Sequence, residues 1–469
     1  MGAGISGWPL ARAVSKAGHL GVVAGTALDI IMARRLQVGD PGGHIQRALS
    51  HLPVPGIAVR ILDRYYVAGG KAADAPFRSK PMIDERPSRD LEELIVASNF
   101  VEIFLAKEGH DGQVGVNYLD KIKVPTLPSL FGAMLADVDF VLMGAGIPVG
   151  IPGFLDTLSK GGAVEQRIDV LGALPEDDFK TYFDPSRFCG GLAPALKRPL
   201  FLAIVSTAAV GNILNRKATG KVDGFIIEAP TAGGHNAPPR GKGALSEAGE
   251  PIYGPRDDPD FPAFREFGRP FWMAGSRAEP RQLQAALAEG ATGIQVGTAF
   301  AFCNESGLDT TWKARVLEQS RAGVAHVFTD ARCSPTGFPF KVIQLEETIS
   351  AAPVYEARKR VCDLGYLRHA YRRDDGRLGW RCPSEPTHIF EKKGGDLADS
   401  VGRKCVCNGL LANITLAQVR PNGDSELPLF TAGDDVAGVA RFLPKGQTSY
   451  NARDVIAYLE APVPSTVSS

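Results

Sequence analysis

Short, continuous apolar runs alternate along this chain with stretches whose apolar residues recur at helical spacing. The runs are LGVVAG from Leu20, VGVNYL from Val114, DFVLMGAG from Asp139, LFLAIVS from Leu200, GFIIEAP from Gly224, FWMAGS from Phe271 and GIQVGT from Gly293. Continuous rather than alternating hydrophobicity predicts strands buried on both faces, and therefore a parallel sheet. The segments between them carry helix punctuation. In SGWPLARAVSKAG, Ser6 is placed to cap the helix, Pro9 falls in its first turn, and Gly18 can close it in the left-handed conformation. In SRAEPRQLQAALAEG, Pro280 lies near the start, Leu283 and Leu287 share a face, and Gly290 ends it. Strand followed by helix, repeated, is the βα unit of an α/β fold.

Most of these strands end in glycine beside a small or polar residue: Ala24-Gly25, Gly144-Ala145-Gly146, Gly275-Ser276 and Gly297-Thr298. Each pair alone reads as a tight turn. Several at the same end of a parallel sheet predict a site where a ligand, an anion such as phosphate in particular, approaches backbone N–H groups. A TIM (β/α)8 barrel needs one strand more than the seven runs supply, and MGAGISG resembles the turn after a strand. The expectation is a barrel whose first strand lies upstream of Met1. Insertions interrupt the rhythm at 51–89, 151–198 and 230–268, the last dense in proline, glycine and charge, as in a long ordered loop over the strand ends. The barrel is expected to occupy residues 1–340. Residues 341–469, where the rhythm fades, read as a cysteine-containing C-terminal extension, with RHAYRRDDGR as a solvated turn.

Charge and composition narrow the function. Lys plus Arg and Asp plus Glu both number 52, without long single-sign runs, which gives no electrostatic reason for a nucleic-acid or anionic-membrane partner. The longest apolar stretches, such as LFLAIVSTAAV from Leu200, are about half the roughly 20 residues needed to cross a bilayer, and the first residues lack a secretory signal pattern. A cytoplasmic enzyme of a small-molecule substrate is expected. Seven cysteines in 469 residues form no disulfide framework, but Cys362, Cys382, Cys405 and Cys407 cluster. Four thiolates suit zinc or an iron–sulfur cluster, with His369 and His388 as alternates, although no CxxC knuckle is present. The competing reading is four small buried thiols.

The fragments MGAGISGWPLARAVSKAGHLGVVAG, VGVNYL, AGGH, WMAGS and GATGIQVGTAF, in that order over about residues 1–340, resemble the nitronate monooxygenases, formerly 2-nitropropane dioxygenases, and the related flavin-dependent enoyl-acyl-carrier-protein reductases. The resemblance implies an FMN-binding barrel. Gly2 and Ala3 would touch the flavin through backbone, Asn117 and Gly234 would lie near its ring, and Gly275, Ser276, Gly297 and Thr298 would hold its phosphate. The chain departs from the family pattern twice. It has no lysine between Phe201 and Thr207, and it carries Gly275-Ser276 where a glycine pair is usual.

His235, in TAGGHNAPPRG, is the candidate catalytic residue. A loop histidine ordinarily satisfies its ring nitrogens on backbone. At a strand end on the flavin face it could instead take an α-proton, bind an anion as the cation, or donate to a carbonyl. The resemblance implies oxidation of alkyl nitronates with O2 to a carbonyl compound and nitrite. The alternative is NAD(P)H-dependent reduction of an enoyl thioester, with an acyl carrier protein as partner. A third possibility is a catalytically silent FMN protein.

Overall fold

The computed structural model describes residues 2–241 and 243–463. Met1, upstream of which the sequence reading puts a further strand, lies outside them. All seven apolar runs form strands: β1 Gly21–Ala24, β2 Val114–Leu119, β3 Phe140–Gly144, β4 Leu200–Val205, β5 Gly224–Glu228, β6 Phe271–Ala274 and β7 Gly293–Gln295. They make one sheet in sequential order, every neighbouring pair parallel. Sequential order with a helical crossover between neighbours curls a sheet progressively. Its concave face packs as one apolar cluster drawn from five strands, with Leu142, Leu202, Ile226 and Ala274 against Val22, Ile204 and Trp272. This is the α/β architecture of a TIM-like barrel built from seven described strands. Beside the edges β1 and β7 an apolar cavity of about 460 Å³ opens, reached by Val22, Ile294, Leu142 and Trp272 alike.

The helix Trp8–Lys16 corrects the expectation for Ser6. Gly7 is the N-cap and offers no side chain; the Trp8 N–H donates to the Glu102 carboxylate instead, at 2.8 Å. Ser6 is used on the free edge of β1. Its hydroxyl donates to the Val22 carbonyl at 2.6 Å, and its own carbonyl accepts from the Ala24 N–H at 2.8 Å. An unpaired strand edge leaves backbone groups that need partners, and this demand outcompetes helix capping. Gly18 and Gly290 end their helices at positive φ, as expected.

The second insertion carries secondary structure of its own. In 151–198, strands Val164–Arg167 and Lys180–Phe183 pair antiparallel, and Phe183 and Phe188 close on Phe131 of the barrel helix Thr126–Leu135, with ring centroids 5.3 and 5.9 Å away. RHAYRRDDGR is not a bare turn. His369–Arg372 pairs with Leu378–Arg381 in a hairpin, which adds in parallel to Val170–Leu171 of the second insertion, and Arg372 donates to Asp177 at 2.8 Å. The region beyond 340 is stitched to the barrel. Arg34, on the helix Leu28–Gln37, is only 2% exposed and donates to the Leu416 carbonyl at 2.6 Å, and one continuous apolar core includes residues from Ala3 to Leu459.

Phe131 is fully buried where insertion and barrel meet. Phe131→Ala is expected to lower unfolding stability by about 3–5 kcal/mol, the cost of a large-to-small change in a packed aromatic cluster, read by denaturant or thermal unfolding.

Candidate functional site

A parallel sheet brings the carboxyl ends of all its strands to one side, and two adjoining cavities lie there. The larger, about 340 Å³, is walled by Ala3, Asn117, Gly144, Val205, Glu228 and His235 among others, so β2, β3, β4 and β5 each present their last residues to it. The smaller, about 150 Å³, is lined by Gly275, Ser276, Arg277, Gly297 and Thr298, following β6 and β7. Gly2, Glu228, Gly234, Gln295 and Thr431 border both. The residues expected to hold FMN or act on substrate, Gly2, Ala3, Asn117, Gly234, His235, Gly275, Ser276, Gly297 and Thr298, therefore all fall on this pair of adjoining cavities, whereas Ala24-Gly25 lies outside it and, of the cysteine set, only Cys407 borders it.

The smaller cavity has the chemistry of an anion cradle. Ser276 stands at φ +47°, a left-handed conformation uncommon for a residue with a Cβ, and its buried hydroxyl has no hydrogen-bond partner among the described residues. The Arg277 Nε beside it also lacks a partner among the described residues, and burial lowers the pKa of that guanidinium. Buried donors left open in a cavity are satisfied by what the cavity binds. Thr298 differs: its hydroxyl accepts the Gly433 N–H at 2.9 Å. The close seat of Gly233 against that C-terminal stretch demands glycine, since a Cβ would lie 2.6 Å from the Ala432 carbonyl carbon.

His235 is half-buried and pinned on both sides by backbone. The Lys341 N–H donates to the Gly234 carbonyl at 3.0 Å and the Asn236 N–H to the Pro339 carbonyl at 2.9 Å, an antiparallel bridge to Phe340. Its ring leans on Phe340, 4.5 Å between centroids, and Nε2 meets the Ser334 hydroxyl at 2.6 Å. Ser334 is itself fully buried and also meets the Thr336 hydroxyl, at 2.8 Å. The ring is thus oriented by a hydroxyl pair, which leaves Nδ1 without a partner among the described residues. Burial, reinforced by the nearby Lys121 cation, depresses the His235 pKa from 6.5 to about 3. The imidazole is neutral at physiological pH, so of the three roles foreseen the cationic one is disfavoured and proton acceptance or donation remains.

Several lining residues carried no sequence signal that was used. Glu228 ends the otherwise apolar β5, half-buried, and burial raises its carboxyl to about 7; a charge closing a buried strand was the available clue. Tyr366, Leu367, Cys407 and Thr431 come from beyond residue 340, so the C-terminal region forms part of the cavity wall. Where the family pattern has a lysine after β4, Arg240 of the NAPPRG segment donates to the Ser206 carbonyl at 3.1 Å.

The cysteines do not assemble a metal site: among the described residues no group of three or more His, Cys, Asp or Glu side chains is placed to hold a metal ion. Cys362 and Cys382 lie within hydrogen-bonding reach, which lowers the first thiol and raises the second. Cys405 is taken up by the Val361 carbonyl and Asn408, while Cys407 borders the main cavity and burial pushes its thiol up. His388 is exposed on its helix, and His369 lies in the hairpin. No helix among the described residues is long and apolar enough to cross a membrane.

A strand-end cavity joined to an anion cradle places the chain among α/β enzymes that act at the carboxyl face of the sheet. The nitronate monooxygenase family model matches residues 192–336, which bears out the resemblance carried by the sequence motifs. No curated protein matches the chain. Among solved structures it is similar to FabK from Thermotoga maritima (15% identity, 97% of this chain and 88% of that one, TM-score 0.47). It is also similar to nitroalkane oxidase from Streptomyces ansochromogenes (15%, 98% and 93%, 0.43) and to the enoyl reductase domain of MlnA from Bacillus amyloliquefaciens (11%, 89% and 90%, 0.41). Likenesses this distant leave the chemistry to the residues themselves.

The depressed His235 pKa has a sign. Below pH 6.5 the unfolded chain protonates this ring while the folded one does not, so its contribution to stability is complete above pH 6.5 and is lost as pH falls toward about 3. His235→Gln is expected to flatten that part of the acid limb in melts of the ligand-free protein. An acid limb identical to wild type would show that the ring titrates normally.

Proposed function

We propose that the chain is an FMN-dependent oxidoreductase and, within that class, a nitronate monooxygenase that converts alkyl nitronates and O2 to carbonyl compounds and nitrite. The observation that carries this reading is a neutral, hydroxyl-oriented His235 facing a cavity continuous with an anion cradle whose Ser276 hydroxyl has no partner among the described residues. The residues fit the group. Ser276 with the backbone at Gly275 and Gly297 would hold the phosphate, and Gly2, Ala3, Asn117 and Gly234 would border the ring, in a cavity of the size expected for a small-molecule site. Bound FMN supplies an acceptor for electrons from the substrate.

The chain's own contribution is binding, orientation and proton handling. His235 Nδ1, with Nε2 engaged by Ser334, is free to accept an α-proton from a nitroalkane or to donate to a substrate oxygen, according to tautomer. Apolar walls such as Ile204, Phe338, Leu410 and Leu411 exclude water and strengthen every polar contact inside. Enoyl reduction remains the second reading, favoured by one feature: past Ile122, Tyr366 and Leu367 the main cavity adjoins another of about 230 Å³, room for an acyl chain delivered by a carrier protein.

His235→Ala is expected to keep FMN and lose most turnover, by roughly 100-fold or more for a lost general acid–base group; full activity in the variant would assign the ring a purely structural role. Aerobic mixing with alkyl nitronates should release nitrite in step with O2 uptake, whereas anaerobic bleaching by NAD(P)H without nitrite release would transfer the protein to the reductases. Ser276→Gly keeps the left-handed backbone accessible while deleting the hydroxyl, and should weaken FMN binding by roughly tenfold in an equilibrium titration, the worth of one charge-assisted hydrogen bond.

A further inference from the structure

The cavity of about 230 Å³ beyond Ile122, Tyr366 and Leu367 differs in character from the main one. Its walls include Ile83, Val124, Ile168 and Trp380, yet Lys121, Lys123, Arg368 and His369 also reach it. Three of these are already accounted for. Lys123 is paired with Asp120 at 3.1 Å and with Asp169 at 3.6 Å. Arg368 donates to the Gly365 and Ile83 carbonyls and stacks over Trp380. His369 is held below its ordinary pKa, chiefly by burial, and so carries no charge near neutrality.

Lys121 is different. Among the described residues its ammonium has no hydrogen-bond or ion-pair partner. It stands over the ring of Phe338, which itself lines the main cavity near His235. A half-buried cation without a counter-charge is costly unless a ligand brings one.

We propose that this second cavity is a substrate-tail subsite, in which Lys121 takes the terminal carboxylate of an apolar chain that runs past Ile122, Tyr366 and Leu367 from the reacting end at His235. The assignment rests on the oxidoreductase reading of the main cavity. A monoanion fits better than a phosphate dianion. A single lysine offers one compact positive charge rather than a forked donor set, and Asp169 on the same wall repels a second negative charge. Burial lowers the Lys121 pKa to about 8, and the neighbouring Asp120 carboxylate, already engaged by Lys123, offsets that only in part. Tyr366 fixes the passage. It is 7% exposed, its hydroxyl donates to Asp29, and Asp29 is paired with Lys80 at 3.0 Å, so the ring is held as a wall shared by both cavities.

The test is calorimetric titration of the FMN-loaded protein with octanoate and with octanamide, a neutral chain of equal length. Wild type should prefer octanoate by roughly tenfold or more, and Lys121→Met should erase the preference at unchanged FMN content and melting temperature, while Lys121→Arg retains it. In turnover, Lys121→Met should raise KM for the nitronate of ω-nitrooctanoate relative to that of nitrooctane by roughly tenfold, since any effect of the lost cation on His235 is common to both substrates and cancels in the ratio. Equal affinity of wild type and Lys121→Met for octanoate overturns the subsite. Octanoate preference that depends on Lys121, together with no turnover of any nitronate, upholds the subsite and overturns the nitronate reading instead.

Discussion

The site depends on the backbone bridge that clasps His235 between Gly234 and Asn236 and ties it to Pro339 and Lys341, more than a hundred residues later. Each hydrogen bond contributes only about 0.5–1.5 kcal/mol net, but leaving either group buried and unmatched costs more than making the bond gains. The clasp is reinforced from the far side. Lys341, 4% exposed, turns its ammonium to Asp434 at 2.7 Å and to the Thr329 hydroxyl at 3.0 Å, and the Asp434 N–H donates to the Thr231 carbonyl. The residue next to it, Gly433, donates to Thr298 at the anion cradle. One C-terminal stretch therefore sets both the histidine end and the phosphate-sized end of the site, which couples the geometry of the two.

That coupling explains what could be read from the chain. The seven strands were legible because most are buried on both faces and need a continuous apolar run, a local property of a few letters; β7, half-buried along its three residues, is the exception. The strand-end glycines and Ser276 were legible for the same reason, since a left-handed turn is written where it occurs. Ser334, Lys121 and Tyr366 were not. Their importance comes from where the fold delivers them, and nothing within a few residues of Ser334 says that an imidazole lies 2.6 Å away. Ser6 shows the opposite failure. The local grammar was sound, but the edge of β1 offered its hydroxyl a better partner. The cysteines misled through proximity in sequence, which the fold resolves into one thiol pair and two separately engaged thiols.

Electrostatically the site is a set of groups pushed toward neutrality by burial. His235 is uncharged, Glu228 sits near its midpoint at neutral pH, and Lys121 is weakened as a cation. In a low-dielectric cavity a neutral acid or base can exchange a proton without the cost of stripping water from an ion, the condition under which proton transfer to and from a carbon acid is most useful. The same condition makes any anionic substrate sensitive to the few cations within reach.

Those cations stand in unusual places. With no lysine from Phe201 to Thr207, the end of β4 presents the uncharged Ile204, Val205 and Ser206 to the cavity, and the Arg240 guanidinium nearby is exposed and engaged with the Ser206 carbonyl. Solvent screens such a charge, whereas Lys121 on the opposite flank is half-buried and acts through apolar surroundings. Positive potential in the cavity is therefore weighted toward the β2 side, where Lys121 follows Asp120 just beyond the strand. A substrate anion entering the cavity is drawn toward Phe338 and Lys121 and away from β4. In the proposed subsite this asymmetry favours the carboxylate tail at Lys121, a single lysine placed two residues beyond the end of β2, while the apolar passage past Tyr366 and Leu367 separates that tail from the reacting end at His235.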